Sequence, residues 1–343
     1  MNRKAVWGII SVVLAAITIT MVAHMSKDFS FASMADDFRN ANVRWLLAAA
    51  ACMFGFIWFE GAAIYVTGKA LGYRRLQHHG TVYGAADVFF SAITPSASGG
   101  QPASAYFMIK DGMSIPAATT ALLINLIMYT LALLTVGGVN LILRFELFMD
   151  LAMGAKVLVC IGIFILILLC IGFYLALRKA MILERICSAL IHFLAKLHLM
   201  RHPEKYEEKL RRKMKEYQEC SDIIAGHGKM LRQIYVLNLC QRLSQLGVTF
   251  MMFMALGKGL AVSYDSFAIQ SFVAMGSNSI PVPGGMGGAD YLMLKGFKLL
   301  VGTEAANMEM LCRGFTFYIC VITSACIVLV GYFLRKMNRG LVK

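Results

Sequence analysis

Residues 5–25, 115–143, 157–177 and 314–334 contain no Asp, Glu, Lys or Arg. Each run exceeds the roughly 18 apolar residues that cross a bilayer as a helix. In lipid every backbone polar group must find a partner within the protein, which leaves only helices and closed barrels. Barrel strands are short and alternate between apolar and polar residues, and these runs do not. The chain therefore reads as an all-α polytopic membrane protein. Only 15% of its 343 residues are charged, where a soluble domain carries about 25%.

Lys and Arg gather on the cytoplasmic side of such proteins. Arg3 and Lys4 place the N-terminus inside. The run behind them is too long for a signal-peptide core, so an uncleaved anchor is expected. Residues 26–44 balance three basic against three acidic residues and read as outside. Lys69, Arg74 and Arg75 stand without an acid and read as inside, and residues 144–150 are nearly neutral and read as outside. Residues 178–232 hold thirteen Lys and Arg against seven Asp and Glu, so this segment is inside. Lys258 and Asp265 offset each other in an outer loop, and Arg335, Lys336, Arg339 and Lys343 put the C-terminus inside. The pattern predicts six full spans, over about 5–25, 45–67, 115–143, 155–177, 233–256 and 311–334. They form a single integral membrane domain, 1–343, with halves 1–150 and 151–343 and a cytoplasmic basic segment, 178–232. Orientation accounts for the net charge of +14, and no nucleic-acid partner is expected from it.

Two apolar stretches remain, about 82–110 and 267–300, and each begins and ends on one side. Each is broken in its middle, by "SAITPSASGGQPASAY" and by "SIPVPGGMGGAD", which contain four of the six prolines: Pro95, Pro102, Pro281 and Pro283. The predicted form is a re-entrant helical hairpin, whose irregular turn survives at depth only when buried in protein or facing a wet cavity. The order is span, span, hairpin, span, twice over. Trp45 lies 50 residues before Pro95, and Arg232 lies 49 before Pro281. The hairpins enter from opposite sides, so the predicted architecture is an inverted-topology repeat. Helix N-termini at the breaks carry backbone N–H groups suited to a phosphate. Gly99, Gly100, Gly284 and Gly285 allow tight turns and close approach of a ligand. Thr94, Ser96, Ser98 and Gln101 add hydrogen-bonding groups. Breaks that merely let short helices pack are the alternative.

The motifs "TPSASGGQP" and "PVPGGMGGAD" resemble the signature stretches of the lysylphosphatidylglycerol synthetase transmembrane-region family, the flippase-like membrane portion of the multiple peptide resistance factor. Thr94, Pro95, Gly99, Gly100 and Pro102 fit the first signature, and Pro281, Pro283, Gly284, Gly285 and Gly287 fit the second. Asp290 stands where that family more usually has Glu, so the charge is kept with a shorter reach. The resemblance implies a lipid flippase or transporter of a bacterial-type plasma membrane, with both termini cytoplasmic. It would handle anionic phospholipid, (aminoacyl-)phosphatidylglycerol foremost, and serve resistance to antimicrobial peptides. The residues just named, with Gln101, are its expected headgroup contacts. Full-length members join this region to a soluble domain that moves lysine from lysyl-tRNA to phosphatidylglycerol. Nine residues follow Leu334, so transfer is not expected. The runner-up is a phosphatidylglycerol lysyltransferase, or the membrane partner of one, and only that reading brings in lysyl-tRNA. A homodimer is left open.

Four charges fall within apolar segments: Glu60, Asp87, Arg242 and Arg313. Glu60 lies roughly 22 Å into its span and Arg242 roughly 15 Å, at 1.5 Å per residue. An ionisable group at such depth marks a functional site or a structural pair. Glu60 and Arg242 sit on equivalent spans, so an ion pair and a contact with substrate both fit. Arg313, at the start of the last span, suits a phosphate or the membrane interface. Residues 203–224 place Tyr206, Leu210, Met214 and Tyr217 at helical spacing among Arg211, Arg212, Lys213 and Lys215, as in a basic helix on anionic lipid or a solvated linker. The nine cysteines form no C-x-x-C pair and suit packing. His198 and His202 have metal-ligand spacing, but their basic neighbours oppose a cation. No metal and no cofactor are expected, and no hydrolase, zincin or nucleotide-binding motif occurs.

Overall fold

The computed structural model describes residues 36, 38–73, 77–94, 97–179, 181, 184–185, 188–189, 192, 203–277 and 287–340. Helix α1 (Val43–Ala70) starts at Asn42, whose side chain accepts the Arg44 N–H at 3.0 Å. Helices α2 (Gln77–Ile93) and α3 (Gly100–Lys110) pack on each other as a pair. Ser114 caps α4 (Ile115–Leu143), where Pro116 occupies the first turn at no cost in hydrogen bonds. A short helix, α5 (Phe145–Asp150), leads to α6 (Met153–Arg178). The chain continues through α7 (Pro203–Ala225), α8 (Gly228–Ala255), α9 (Leu260–Ser277) and α10 (Gly288–Val301). A 3₁₀ turn, Gly302–Glu304, leads into α11 (Ala305–Arg313). A π-helical stretch, Gly314–Ile319, joins α11 to α12 (Cys320–Gly340). Among the described residues every element is helical.

Among the described residues four stretches are long and apolar enough to cross a membrane: α1, α4, α6 and the helical run Gly288–Arg335. Glycine 302, at φ 58°, breaks that last run, and α10 packs back on α11. The expected first span, about 5–25, lies outside the described residues. The expected span over 233–256 is α8, which has the length at 28 residues but not the apolar composition. Asn238, Gln241 and Arg242 are the reason, and all three are buried against other helices. Among the described residues, then, four stretches are apolar enough to span, and the polar face of α8 lies inside the bundle.

Helices α1 and α8 form the most extensive helix pair, with α4 packed on both. Their contact carries Met53 and Ile57 of α1 and Val248, Met252 and Phe253 of α8. Phe253 meets Phe297 of α10 edge-on at 5.1 Å, and Phe148 meets Phe272 of α9 at 5.6 Å. Glycines bring α2 onto α1: a Cβ on Gly84 would stand 2.5 Å from the Gly61 nitrogen. Gly80 and Gly84 form a G-x-x-x-G step, a small-residue seam of the kind that lets membrane helices approach closely. By contrast α6 buries only Ala155, Val159, Gly162 and Leu166 and exposes Ile161, Phe164 and Leu168. Such a face suits lipid rather than water.

Helix α7 neither stands clear as a linker nor turns its whole apolar stripe outward. Met214 and Tyr217 are buried, while Tyr206 is exposed. Tyr217 donates to the Ala176 carbonyl at 2.9 Å and Ser221 to that of Leu177 at 2.8 Å, which docks α7 under the end of α6. Lys258 pairs with Glu304, and Asp265 pairs with Arg144 at 2.7 Å.

Candidate functional site

The first broken pair converges on Asp87. Its Oδ1 accepts from Ser91 at 3.2 Å, and its Oδ2 accepts from Gln101 at 3.0 Å, across the turn from α3. Thr94 caps the returning helix, accepting the Gly99 N–H at 2.8 Å while its hydroxyl donates to the Phe90 carbonyl at 2.6 Å. Gly99 is right-handed helical, with φ −82° and ψ −20°. Positive φ therefore does not explain this glycine; the left-handed residue of the turn is Ala97, at φ 53°. Close packing explains Gly100. A Cβ there would lie 2.0 Å from Ser91 Oγ and 2.1 Å from Asp87 Oδ1. Pro102 falls in the first turn of α3, where its missing N–H breaks no helical bond.

Glu60 faces the same junction from α1. Asn125 of α4 donates to its Oε1 at 2.6 Å, and Gln241 of α8 donates to its Oε2. Asn238 extends the network, donating to Asn125 Oδ1 at 3.0 Å. The carboxyls of Glu60 and Asp87 lie close enough to act on each other. Both are buried, at 4% and 8% exposure. Helices α1, α2, α3, α4 and α8 thus each supply a side chain to one polar junction inside an apolar bundle.

Arg242 follows Gln241 on α8 and is 1% exposed. Its guanidinium lies over the Tyr129 ring, 3.6 Å from the centroid. One nitrogen, Nη1, donates to Gln245 at 2.5 Å, while Nε and Nη2 have no hydrogen-bond partner. No ion pair joins it to Glu60, although its charge acts on that carboxyl. Of the two arrangements open to Glu60 and Arg242, the ion pair is not the one formed: amides surround the acid, and the arginine is held apart on an aromatic ring.

A second cluster lies at the start of α10. Gly287, at φ 81°, donates its N–H to Asp290 Oδ2 at 2.8 Å, so the acid caps its own helix. The other oxygen takes Arg313 of α11, with Nε at 2.6 Å and Nη2 at 2.5 Å. Glu309, one turn back, is 3.7 Å from Arg313 Nε. Arg313 is buried and paired, not set in the interface. Single π turns inside helices recur at functional segments, and the π stretch begins at the next residue.

Glu60, Asp87, Gly100, Gln101 and Arg242 come together in one site, and Gly287, Asp290 and Arg313 in the other. Thr94, Gly99 and Pro102 shape the first turn. Pro95, Pro281, Pro283, Gly284 and Gly285 lie outside the described residues. The motifs do not single out Asn125, Gln241, Gln245 or Glu309. The signal for the α8 residues was nevertheless present: Asn238, Gln241 and Gln245 stand at i, i+3 and i+7, a polar stripe on one helix face. Among the described residues no group of three or more His, Cys, Asp or Glu side chains is arranged to hold a metal.

At the far end of the α2–α3 pair, Asp111 binds Arg335 of α12 in a fork, Nε to Oδ1 at 2.9 Å and Nη2 to Oδ2 at 2.7 Å. Tyr83 and His79 complete the shell at 2.6 and 2.7 Å. Burial opposes ionisation of Asp111, but the hydrogen bonds from Arg335, Tyr83 and His79 outweigh it and hold the carboxyl at about 2. An apolar cleft of about 550 Å³ runs beside this clamp between α2 and α12.

The sequence profile of a family described as the lysylphosphatidylglycerol synthase TM region matches residues 8–324 of the chain. No curated protein and no solved structure matches it significantly.

Proposed function

This chain belongs to the lysylphosphatidylglycerol synthase membrane-region family, and from that premise we propose that it moves anionic phospholipid, (aminoacyl-)phosphatidylglycerol foremost, between bilayer leaflets without altering it. A role in handling membrane lipid follows from the family. The finer reading rests on one observation, the buried polar junction of Glu60, Asp87, Gln101, Asn125, Gln241 and Arg242. Polar groups are costly inside a membrane and mark the paths of polar cargo. Arg242 offers two unbonded guanidinium nitrogens, a fork suited to a phosphate. In this reading α2–α3 and α9–α10 are re-entrant hairpins of an inverted repeat in a plasma membrane, with both termini cytoplasmic. The packing is in keeping with it: α12 rests on α2 of the first hairpin, and α4 rests on α9 of the second.

The test is reconstitution of the purified chain into liposomes carrying headgroup-labelled phosphatidylglycerol. A membrane-impermeant quencher reaches only the outer leaflet of protein-free vesicles. Active protein is expected to bring nearly all the label within its reach, and Arg242→Gln is expected to abolish this while the protein remains monodisperse. Protection unchanged from protein-free vesicles would defeat the proposal. Lysylated lipid appearing on addition of lysyl-tRNA would move the assignment to the synthase reading.

A further inference from the structure

Glu60 and Asp87 come from different helices and share one junction. Glu60 takes hydrogen bonds from Asn125 and Gln241, and Asp87 takes its own from Ser91 and Gln101. All four donors are neutral. Among the described residues no lysine, arginine or histidine pairs with either acid. Burying two neighbouring carboxylates with no cation paired to either is costly, and a proton on one of them relieves that cost. The charged and titratable groups facing the pair are few. Helix α8 presents Arg242 and α4 presents Tyr129 beneath it, while α3 presents neutral Gln101.

Arg242 is the second, independent observation. It is buried, close enough for its charge to act on Glu60, and two of its nitrogens are unbonded. A buried cation left in this condition awaits an anion. Two anions compete for it. One is a phosphate brought by a lipid, and the other is the carboxylate that Glu60 becomes when the shared proton leaves.

We propose that the Glu60–Asp87 pair is a proton-binding site that couples headgroup movement to a proton gradient, with Arg242 as the element both ions act upon. With the proton in place the pair carries one negative charge fewer and Arg242 is open to a phosphate. When the proton leaves to water, two adjacent carboxylates repel each other, and Glu60 draws Arg242 into an ion pair and displaces the phosphate. Proton and phosphate therefore bind together and leave together. A singly charged phosphodiester and one proton cross as a neutral pair, so the driving force is the pH difference and not the membrane potential.

This inference rests on the proposed lipid movement, and the experiment separates the two. The full chain is reconstituted in liposomes with headgroup-labelled phosphatidylglycerol, and a stable pH difference is imposed. One-to-one coupling predicts about tenfold lipid asymmetry for each pH unit, with enrichment in the alkaline-side leaflet, because one pH unit and one decade of concentration are equal in free energy. A potassium diffusion potential without a pH difference is expected to produce none. Asp87→Asn keeps the shape of the acid and cannot ionise. Whatever lipid exchange it retains is expected to be indifferent to the pH difference. Infrared spectra of the parent are expected to show the C=O stretch of a protonated carboxylic acid that Asp87→Asn removes. Lipid movement indifferent to the pH difference in the parent would overturn the coupling and leave the lipid function standing. Absence of any lipid movement would overturn both.

Discussion

Replacing Gly100 with Val sets a Cβ within about 2 Å of the Asp87 carboxyl and Ser91 hydroxyl, and the two helices must part or Asp87 must turn away. Overpacking of this kind costs typically 1–3 kcal/mol, and here it also disrupts the polar junction. The expected outcome is a lower melting temperature in detergent together with lost lipid movement. Gly138→Ala on α4 is the matched control. No heavy atom lies within 4 Å of its added Cβ, and helix propensity favours Ala by up to about 1 kcal/mol. Equal melting of both variants would show that the approach of α3 to Asp87 is not tight. The motif around Gly100 was legible in the sequence, but its physical reason was not. A pair of glycines beside proline suggests a turn that needs positive φ, whereas the fold uses Gly100 to let a carboxyl come close. Likewise the sequence shows that Arg313 is unusual at its depth, but not that Asp290 sits 23 positions earlier to meet it.

At the scale of elements, charge and apolar runs located α1, α4 and α6, and Pro with Gly located the break between α2 and α3. They could not tell whether an amphipathic helix turns its apolar stripe to lipid or to protein, because both environments reward the same spacing. Helix α7 shows this: Met214 and Tyr217 pack inward while Tyr206 of the same stripe is exposed. Nor could they identify α8 as a helix whose polar face is internal. Hydropathy averages over a window and discards the face on which Asn238, Gln241 and Arg242 lie. The docking of α7 is measurable. Tyr217→Phe removes one hydrogen bond to the Ala176 carbonyl and leaves that acceptor near the end of α6, at an expected cost of about 1 kcal/mol. Amide exchange is expected to quicken about fivefold across α7, as that loss implies when opening is local, and to stay unchanged in α4. Unchanged exchange in α7 would show that Met214 and the Ser221 bond suffice to hold it.

For the whole molecule, the two ends of α4 carry opposing restraints. Asp111 lies shortly before its start and Arg144 follows its last residue, and the helix between them is about 43 Å long at 1.5 Å per residue for 29 residues. At the Asp111 end, the forked bond to Arg335 ties the first hairpin to α12, and both partners are largely buried. At the other end, Arg144–Asp265 and Lys258–Glu304 are considerably more exposed. Exposed pairs contribute about 0–1 kcal/mol each, whereas removing one partner of a buried pair costs about 3–5 kcal/mol, so a figure of about 2 kcal/mol suits the partly buried Asp111 clamp. The folded carboxyl sits at about 2, below its ordinary value near 3.9. The stabilisation is therefore complete above that ordinary value and is lost only as pH falls through about 2. Acidification from pH 7 to 5 is expected to leave this end closed. A transporter that rocks between two openings must release one end at a time, and the firmer clamp sets which end rests closed. The molecule is expected to rest shut at the Asp111–Arg335 end, read here as cytoplasmic. Asp111→Asn is then expected to raise the reactivity of a cysteine placed at Thr81, in the adjoining cleft, by about tenfold. The same probe is expected not to respond when Asp265→Asn weakens the far end. A swapped pair, Asp111→Arg with Arg335→Asp, is expected to restore protection, because the attraction survives exchange even though Tyr83 and His79 lose their partner. Labelling at position 81 that is equally fast in the parent and in Asp111→Asn would mean that the clamp fastens two helices without governing access between them.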